Sequence, residues 1–186
     1  MIHYYEDLPG WFTSPGFYRE MVRRCPDGGT IVEVGCWMGR SLSCLLVEAA
    51  NSGKSIKVLG VDHWKGSAWE PALIREAART DLRAVCQKNC ERAGYPFRLL
   101  SSESTAVAEA MPPVDVVFLD ASHDYDSVVA DIRAWMPRVK PGGIIGGHDA
   151  HFLGVHQAYT ELCGTVKVME YCWWHQKSLD SDLKVR

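Results

Sequence analysis

Short apolar runs alternate along the chain with stretches whose apolar residues recur at helical spacing. After the first run, apolar residues at i, i+3, i+4 and i+7 predict a helix beginning near Ser41 and ending at Asn51-Ser52-Gly53. A longer helical pattern starts at Pro71 and is expected to break near Thr80-Asp81. The predicted strands cover residues 30–34, 57–61, 97–100, 114–119, 144–145, about 165–170 and 171–177.

This alternation is typical of a parallel sheet with helical crossovers. The run 114–119 is almost continuously apolar, as a central strand covered on both faces requires. We therefore expect an α/β fold, with a doubly wound, mostly parallel seven-stranded sheet and a C-terminal antiparallel hairpin. A single domain is expected, with residues 1–29 as an N-terminal lid or helical cap before a sheet domain over 30–186.

Composition and charge favour a globular domain that handles small molecules. Of the 186 residues, 47% are hydrophobic and 23% are charged, which is enough for one core. The net charge is −3 without a run of Lys or Arg, so no nucleic-acid or anionic-membrane partner is expected. No secretory signal or bilayer-spanning stretch is recognisable.

The seven cysteines are scattered and include no C-x-x-C pair. Such a set favours reduced thiols and hence a cytoplasmic protein. Cys86 and Cys90 stand four residues apart on a predicted helix, a spacing that could hold a metal. Without a companion pair, packing is the favoured interpretation of these two thiols.

The loop after the first strand, residues 33–41, carries the first chemical signal, because ligands of open parallel sheets bind at the carboxyl ends of strands. Gly35 and Gly39 would let the backbone approach a ligand, and Ser41 could cap the helix. The dinucleotide fingerprint is absent because Trp37 replaces its second glycine, and the phosphate loop is absent too. Glu33, an acid before the first glycine, suits a cationic amino group.

The second strand ends at Asp62, 27 residues after Gly35. A carboxylate at this strand end can accept hydrogen bonds from both hydroxyls of a ribose. Together with Glu33 it describes a site for a nucleoside that carries a positively charged amino acid. The alternative is that Asp62 caps a loop and Glu33 is a satisfied edge charge.

With these residues, the chain resembles a class I S-adenosylmethionine-dependent methyltransferase over residues 30–150. The loop EVGCWMGRS is similar to that of the catechol O-methyltransferase-like families. The segment FLDASHDYDSVVADIRAWMPRVKPGGIIGGHD resembles small bacterial methyltransferases with D-x-x-H-x-Y, P-G-G and H-D elements. The resemblance implies a Rossmann-like fold, with 30–186 as the methyltransferase domain and S-adenosylmethionine as cofactor.

The resemblance also implies contacts around the cofactor. An aromatic residue just past the ribose acid lies beside the adenine in this group, and Trp64 takes that position. The turn Ser102-Glu103 would lie at the adenine edge. For His63, an outer position without cofactor contact is the alternative. The expected cofactor contacts are Glu33, Gly35, Trp37, Gly39, Ser41, Asp62, His63, Trp64, Ser102, Glu103 and Asp120.

Methyl transfer from a sulfonium to oxygen is an in-line displacement that needs an aligned acceptor and a group to remove its proton. Asp120 ends the fourth strand, and His123 follows three residues later. In catechol-type enzymes the matching Asp binds a metal, and a lysine in the position of His123 takes the proton. Imidazole titrates near neutrality, so the resemblance implies that His123 is the base and that Asp120 is the second catalytic residue.

The pair His148-Asp149 stands where catechol-type enzymes have further metal ligands. Asp120, His148 and Asp149 would form a mixed oxygen and nitrogen site for Mg²⁺, Mn²⁺, Fe²⁺ or Zn²⁺. Whether a metal is needed stays open at this point. The alternative is that Asp120 caps a turn with Ser122 while the two histidines are loop residues.

Aromatic residues are dense before the first strand and recur in the closing strand. Those of the N-terminal stretch could form a lid over the site, which is the favoured interpretation, or a homodimer contact. Strand alternation places Trp173 and Trp174 on opposite faces, so at least one is expected to be exposed. The N-terminal aromatic residues are Tyr4, Tyr5, Trp11, Phe12, Phe17 and Tyr18.

These observations favour an O-methyltransferase that acts on a small hydroxylated molecule, such as a sugar or a natural product, with metal assistance as an option. Methylation of RNA or protein is an alternative that the net charge of −3 disfavours. The other alternative is a catalytically silent S-adenosylmethionine-binding module.

Overall fold

Seven strands form one sheet in a computed structural model, which describes residues 1–67 and 70–179. The strands are β1 (Thr30–Val34), β2 (Lys57–Asp62), β3 (Phe97–Ser101), β4 (Val114–Leu119), β5 (Val139–Gly147), β6 (Lys167–Met169) and β7 (Cys172–Gln176). Their order is β3-β2-β1-β4-β5-β7-β6; β1 to β5 are parallel, and β7 is antiparallel to both β5 and β6. The predicted doubly wound sheet with its antiparallel hairpin is confirmed.

Helices cover both faces of the sheet. The predicted break in the second long helical pattern is present, because Asp81 caps a new helix by accepting a hydrogen bond from the backbone N–H of Ala84 (3.0 Å). The helices are α1 (Pro15–Arg24), α2 (Arg40–Ser52), α3 (Pro71–Ala77), α4 (Leu82–Glu91), α5 (Ser104–Ala110), α6 (Tyr125–Trp135) and α7 (Leu153–Cys163).

Alternation along the strands divides the core into two layers. In β4, Phe118 faces the layer formed with α1, α2 and α4, whereas Val117 faces the layer formed with α5, α6 and α7. All six residues of β4 are buried, as its continuous apolar sequence predicted.

The expectation that Trp173 or Trp174 is exposed is wrong. Their side chains point to opposite faces, but both are buried, with exposed fractions of 1% and 7%. Tyr159 of α7 stacks on Trp173 with ring centroids 5.1 Å apart, and the Arg24 guanidinium of α1 lies 4.4 Å from the Trp174 ring. Strand periodicity gives the direction of a side chain but not whether a helix covers it.

Strand β5 is longer than the predicted pair 144–145. The segment Pro141-Gly142-Gly143, which its sequence marks as a turn, lies inside the strand. The β4–β5 register shifts between Val114 and Val116, so the segment is accommodated as an irregularity in the ladder.

The N-terminal segment packs against the sheet domain. Phe17 and Tyr18 of α1 are buried, and their rings lie 5.3 and 5.1 Å from the ring of Phe118. The stretch before α1 is held by Arg40, whose Nη1 donates to the carbonyl oxygens of Leu8 (3.0 Å) and Gly10 (2.8 Å). Within the described residues, no helix is both long and apolar enough to cross a membrane.

Candidate functional site

A cavity of about 500 Å³ opens at the carboxyl ends of the parallel strands. Its walls come from the loops after β1 to β5, from the N-terminal stretch around Trp11, and from one side of α6. It lies between the ends of β1 and β4, where the strand order reverses, which is the switch point at which open α/β sheets bind their ligands. Its volume suits a small molecule.

Gly35 lets the ends of β1 and β4 approach each other. Its φ is +90°, and a Cβ at this position would lie 2.0 Å from the carbonyl oxygen of Asp120. Gly39, with φ +82°, is the residue that precedes α2, and a Cβ there would lie 3.0 Å from the Sγ atoms of Cys86 and Cys90. Both glycines therefore fix the path of the loop, while the two thiols pack beneath it.

Asp62 connects two loops at the edge of the cavity. Its Oδ2 accepts a hydrogen bond from the backbone N–H of Trp37 (2.8 Å), and its Oδ1 accepts one from the backbone N–H of Trp64 (2.6 Å). Each carboxylate oxygen has two acceptor positions, so one on each oxygen stays available to a hydroxyl in the cavity. The arrangement is compatible with the expected ribose contact.

The structure corrects the expected position of Trp64. Its ring is 8% exposed and packs in the core layer of α2, with Nε1 donating to the carbonyl oxygen of Trp37 (2.8 Å). Among the described residues, His63 lines the cavity and Trp64 does not. The indole of Trp64 thus packs beneath the loop, and the imidazole of His63 is the ring of this pair that lines the cavity.

Glu33 lies behind the cavity wall rather than in it. Its side chain is completely buried, and its Oε1 accepts a hydrogen bond from Ser41 Oγ at 2.6 Å. Burial raises the pKa of Glu33 well above its ordinary value. Ser41 lines the cavity from the first turn of α2, so its expected role as a helix cap is wrong and its hydroxyl binds Glu33 instead.

The β3 end contributes Ser102 and Glu103 to the cavity wall, as the resemblance implied. The backbone N–H of Ser102 donates to the carbonyl oxygen of Asp62 (3.2 Å), which joins the β2 and β3 loops. Asp131 of α6, which was not among the expected residues, also lines this wall, and burial raises its pKa to about 6.

Two histidines and two aspartates meet at the ends of β4 and β5. His123 Nε2 lies 2.8 Å from Asp149 Oδ2, and His148 Nδ1 lies 3.1 Å from Asp149 Oδ1. Asp120 Oδ1 is 3.8 Å from His148 Nδ1, and the other ring nitrogen of His148 is 3.2 Å from Thr13 Oγ1. All four of these β4–β5 side chains line the cavity.

The close charges change the protonation of this cluster. The hydrogen bond with Asp149 raises the pKa of His123. Burial lowers the pKa of His148, but the bond to Asp149 and the charge of Asp120 outweigh it and give a net rise. Burial tends to raise the pKa of Asp149, yet its bonds with both histidines bring it below the ordinary value. Burial raises the pKa of Asp120 to about 6.

The same cluster contains a possible metal site. Three side chains, those of Asp120, His123 and Asp149, each offer one ligand atom, and these atoms lie within 4.8 Å of one another. This set differs from the expected trio, because His123 takes the place of His148. His148 lies next to this set, with Nδ1 near Asp149 and its other ring nitrogen near Thr13.

Several cavity residues carry no signal in the sequence that would have identified them. Asp131 lies within the stripe of α6, so it looks like a packing position in the sequence. Phe152 stacks on His123 with ring centroids 5.3 Å apart. Tyr18 was expected only as one of the N-terminal aromatic residues of a lid. The cavity residues that were not expected include Thr13, Arg40, Glu70, Asp131 and Phe152.

Comparison with known proteins finds similar sequences and solved structures with the same fold. A curated relative from Sinorhizobium fredii, the uncharacterized protein y4gI, is 24% identical over 93% of this chain, which spans 19% of the length of that relative. The O-methyltransferase NovP superposes with a TM-score of 0.67 at 16% identity, covering 88% of this chain and 79% of NovP. An O-methyltransferase from Bacillus cereus, solved in complex with SAH, gives a TM-score of 0.60 at 17% identity, with 92% and 86% covered.

A model of the family described as a methyltransferase domain matches residues 32–150. The matched region begins in β1 and ends just after His148-Asp149, so it includes the first loop, Asp62 and the β4–β5 cluster. The chain therefore belongs to this methyltransferase family, and it shares its fold with solved O-methyltransferases, as the resemblance to class I S-adenosylmethionine-dependent methyltransferases predicted.

Proposed function

We propose that the protein transfers a methyl group from S-adenosylmethionine to a hydroxyl of a small molecule, such as a sugar or a natural product. The observation that carries this proposal is that one cavity joins Asp62 and the glycine loop to the His123–Asp149 pair. A nucleoside held at Asp62 would therefore have its amino acid end near Gly35 and Asp120, with an acceptor next to His123.

The residues present fit the cofactor. Gly35 leaves room for a close backbone approach, and Asp62 keeps acceptor positions for ribose hydroxyls. When bound, S-adenosylmethionine supplies an electrophilic methyl group on a sulfonium. The proposed cofactor contacts are Gly35, Trp37, Gly39, Ser41, Asp62, His63, Ser102, Glu103 and Asp120, with Glu33 behind Ser41 and Trp64 supporting the loop.

His123 is proposed as the base that takes the hydroxyl proton. Its Nε2 donates to Asp149, so Nδ1 carries the lone pair and is the atom that accepts the proton. Asp149 stabilises the imidazolium that results, and the stacked ring of Phe152 fixes the plane of the imidazole. Glu70, whose Oε1 lies 3.9 Å from His123 Nδ1, adds negative charge on the same side.

Metal assistance is a second candidate for the same step, favoured by the proximity of Asp120, His123 and Asp149. Two carboxylates and one imidazole suit Mn²⁺, Fe²⁺ or Zn²⁺, and Mg²⁺ if water completes the shell. A metal held there would lower the pKa of an acceptor hydroxyl, and His123 would be a ligand instead of the base.

The N-terminal stretch is proposed as the lid over the acceptor. Trp11, which is 76% exposed, and Phe152, which is 45% exposed, line the cavity and offer apolar surface to a bound acceptor. A homodimer contact through this stretch is the alternative. A cytoplasmic location and the absence of a nucleic-acid partner stay predictions.

The experiment is a screen of hydroxylated small molecules with radiolabelled methyl donor, each with and without chelator. Product labelled on oxygen supports the proposal, and loss of labelling with chelator supports metal assistance. Labelling of RNA or protein instead of small molecules would contradict it. If the cofactor binds but no acceptor is methylated, the catalytically silent module becomes the better interpretation.

A further inference from the structure

Buried polar atoms gather at the end of the cavity next to the first turn of α2. The side chains of Tyr18 and Glu33 have exposed fractions of 1% and 0%. Ser41 Oγ uses its proton to bind Glu33 Oε1 at 2.6 Å. In the part of the chain that the structure describes, neither the Tyr18 hydroxyl nor Glu33 Oε2 has a hydrogen-bond partner of normal geometry.

Such groups are rare in folded proteins, since each costs free energy that a partner would recover. Tyr18 and Ser41 line the cavity, so a ligand there can reach the tyrosine hydroxyl, with Glu33 directly behind it. A ligand group that satisfies this end must supply N–H or O–H donors.

The charge around the hydroxyl favours a cation. Burial raises the pKa of Tyr18 well above its ordinary value, and the charges of Glu33 and Asp120 raise it further. Arg40, which also lines the cavity, donates from Nη1 to the carbonyl oxygens of Leu8 and Gly10. A cationic donor would be stabilised by both carboxylates and would favour the ionised form of Glu33.

The position of the hydroxyl is fixed by aromatic packing. The Tyr18 ring makes edge contacts with Phe12 at 4.8 Å and with Phe118 of β4 at 5.1 Å between centroids. Tyr18 is therefore held between the N-terminal stretch and the sheet. It lies outside the region matched by the methyltransferase family model, which begins at residue 32.

Resting on the proposed function, we propose that Tyr18 binds the ammonium group of the methionine part of S-adenosylmethionine. The hydroxyl oxygen accepts a hydrogen bond from the ammonium group, and the hydroxyl proton turns to Glu33 Oε2. Glu33 acts behind Tyr18 and Ser41 as the counter-charge. The N-terminal helix thereby forms part of the cofactor site.

The test compares two ligands by calorimetry in wild type and Tyr18→Phe. S-adenosylhomocysteine carries the ammonium group, whereas methylthioadenosine has the same nucleoside without the amino acid. We expect Tyr18→Phe to weaken S-adenosylhomocysteine roughly 10- to 100-fold, as for a lost hydrogen bond to a charged group, and to leave methylthioadenosine unchanged. The melting temperature of the ligand-free variant checks that its fold is intact, so that a selective loss of affinity can be assigned to the hydroxyl.

Glu33→Gln should show the same selective loss. Its effect should be less than additive with Tyr18→Phe, because both act on one ammonium group. Tyr95→Phe is the matched control: its hydroxyl binds the backbone of Lys54 and Ile56, so stability should fall while both affinities stay unchanged.

Equal losses for both ligands in Tyr18→Phe, or no loss for either, would overturn the role of Tyr18. If wild type binds neither ligand, the proposed function itself fails, and the assignment of Tyr18 fails with it. The wild-type measurement alone distinguishes the two cases.

Discussion

His123 Nε2 and Asp149 Oδ2 are 2.8 Å apart, although the two residues end different strands of the sheet. The contact fixes which ring nitrogen of His123 is directed to the cavity, and it raises the pKa of the imidazole. The proposed base is thus oriented before an acceptor arrives.

His123→Ala should lower turnover about 10²- to 10⁴-fold, the usual contribution of a general base, with nearly unchanged affinity for S-adenosylhomocysteine. Steady-state kinetics and calorimetry measure the two quantities. His156→Ala is the control, since this exposed histidine of α7 makes an edge contact with Tyr159 and does not line the cavity. A His123→Ala variant as fast as wild type would exclude this residue as the base.

Asp62→Ala should weaken binding of S-adenosylhomocysteine by about 1–3 kcal/mol, because ribose hydroxyls lose their acceptor. The melting temperature should fall as well, since two backbone N–H groups lose theirs. Asp27→Ala is a matched control, because Asp27 also accepts from two backbone N–H groups, those of Gly28 and Ser55. Asp27→Ala should lower the melting temperature and leave the affinity for S-adenosylhomocysteine unchanged. An unchanged affinity in Asp62→Ala would contradict the ribose contact.

Gly35→Ala should be far more harmful than Gly53→Ala, although both glycines have positive φ, +90° and +70°. The left-handed backbone costs an alanine about 1–2 kcal/mol at either site. At Gly53 the new methyl group meets no atom within 4 Å, whereas at Gly35 it meets the carbonyl of Asp120. Overpacking adds about 1–3 kcal/mol or more at Gly35. Urea denaturation measures the loss in free energy of unfolding for each variant. Equal losses in Gly35→Ala and Gly53→Ala would contradict the close approach of Gly35 to the Asp120 carbonyl.

If a metal is bound by Asp120, His123 and Asp149, Mn²⁺ should raise the melting temperature of wild type, because ligands that bind the folded state stabilise it. Asp120→Asn should reduce this shift, and chelator should reverse it. Asp126→Asn, on the first turn of α6, serves as control because Asp126 does not line the cavity. The metal site would be excluded if no divalent metal changed the melting temperature and chelator left turnover unchanged. His123 would then act as the base without a metal.

Acid should lower the free energy of unfolding by weakening the Glu20 ion pairs on α1. The hydrogen bond from Arg23 and that from Arg24 lower the pKa of Glu20 to about 2, from an ordinary value of 4.5. A lowered carboxyl pKa contributes stability above the unfolded pKa, and this contribution is lost as the pH falls from 4.5 toward 2. Glu20→Gln should therefore have a lower free energy of unfolding than wild type at pH 7. The difference should be less than about 1 kcal/mol because the ion pair is partly exposed, and it should vanish near pH 2. A difference that is constant with pH would contradict this linkage.

Much of the cofactor end could be predicted from the sequence because its residues follow strands whose apolar pattern is unmistakable. Gly35, Asp62 and Ser102 come directly after such strands, and parallel strands bring their carboxyl ends to one edge. The burial of Trp64 could not be foreseen. The positive φ of Trp64, +54°, turns its ring into the core, and a turn of this kind leaves no mark on strand periodicity.

The sequence by itself determined the α/β class, the seven strands and the loop that identifies the family, because periodicity and glycine spacing are local properties of the chain. The tertiary structure decided which side chains share the cavity. Thr13 and His148, 135 residues apart, meet there, and Tyr18 reaches Glu33 because α1 folds back onto the sheet. Such contacts depend on how the elements pack, since burial and proximity arise only when distant segments cover one another.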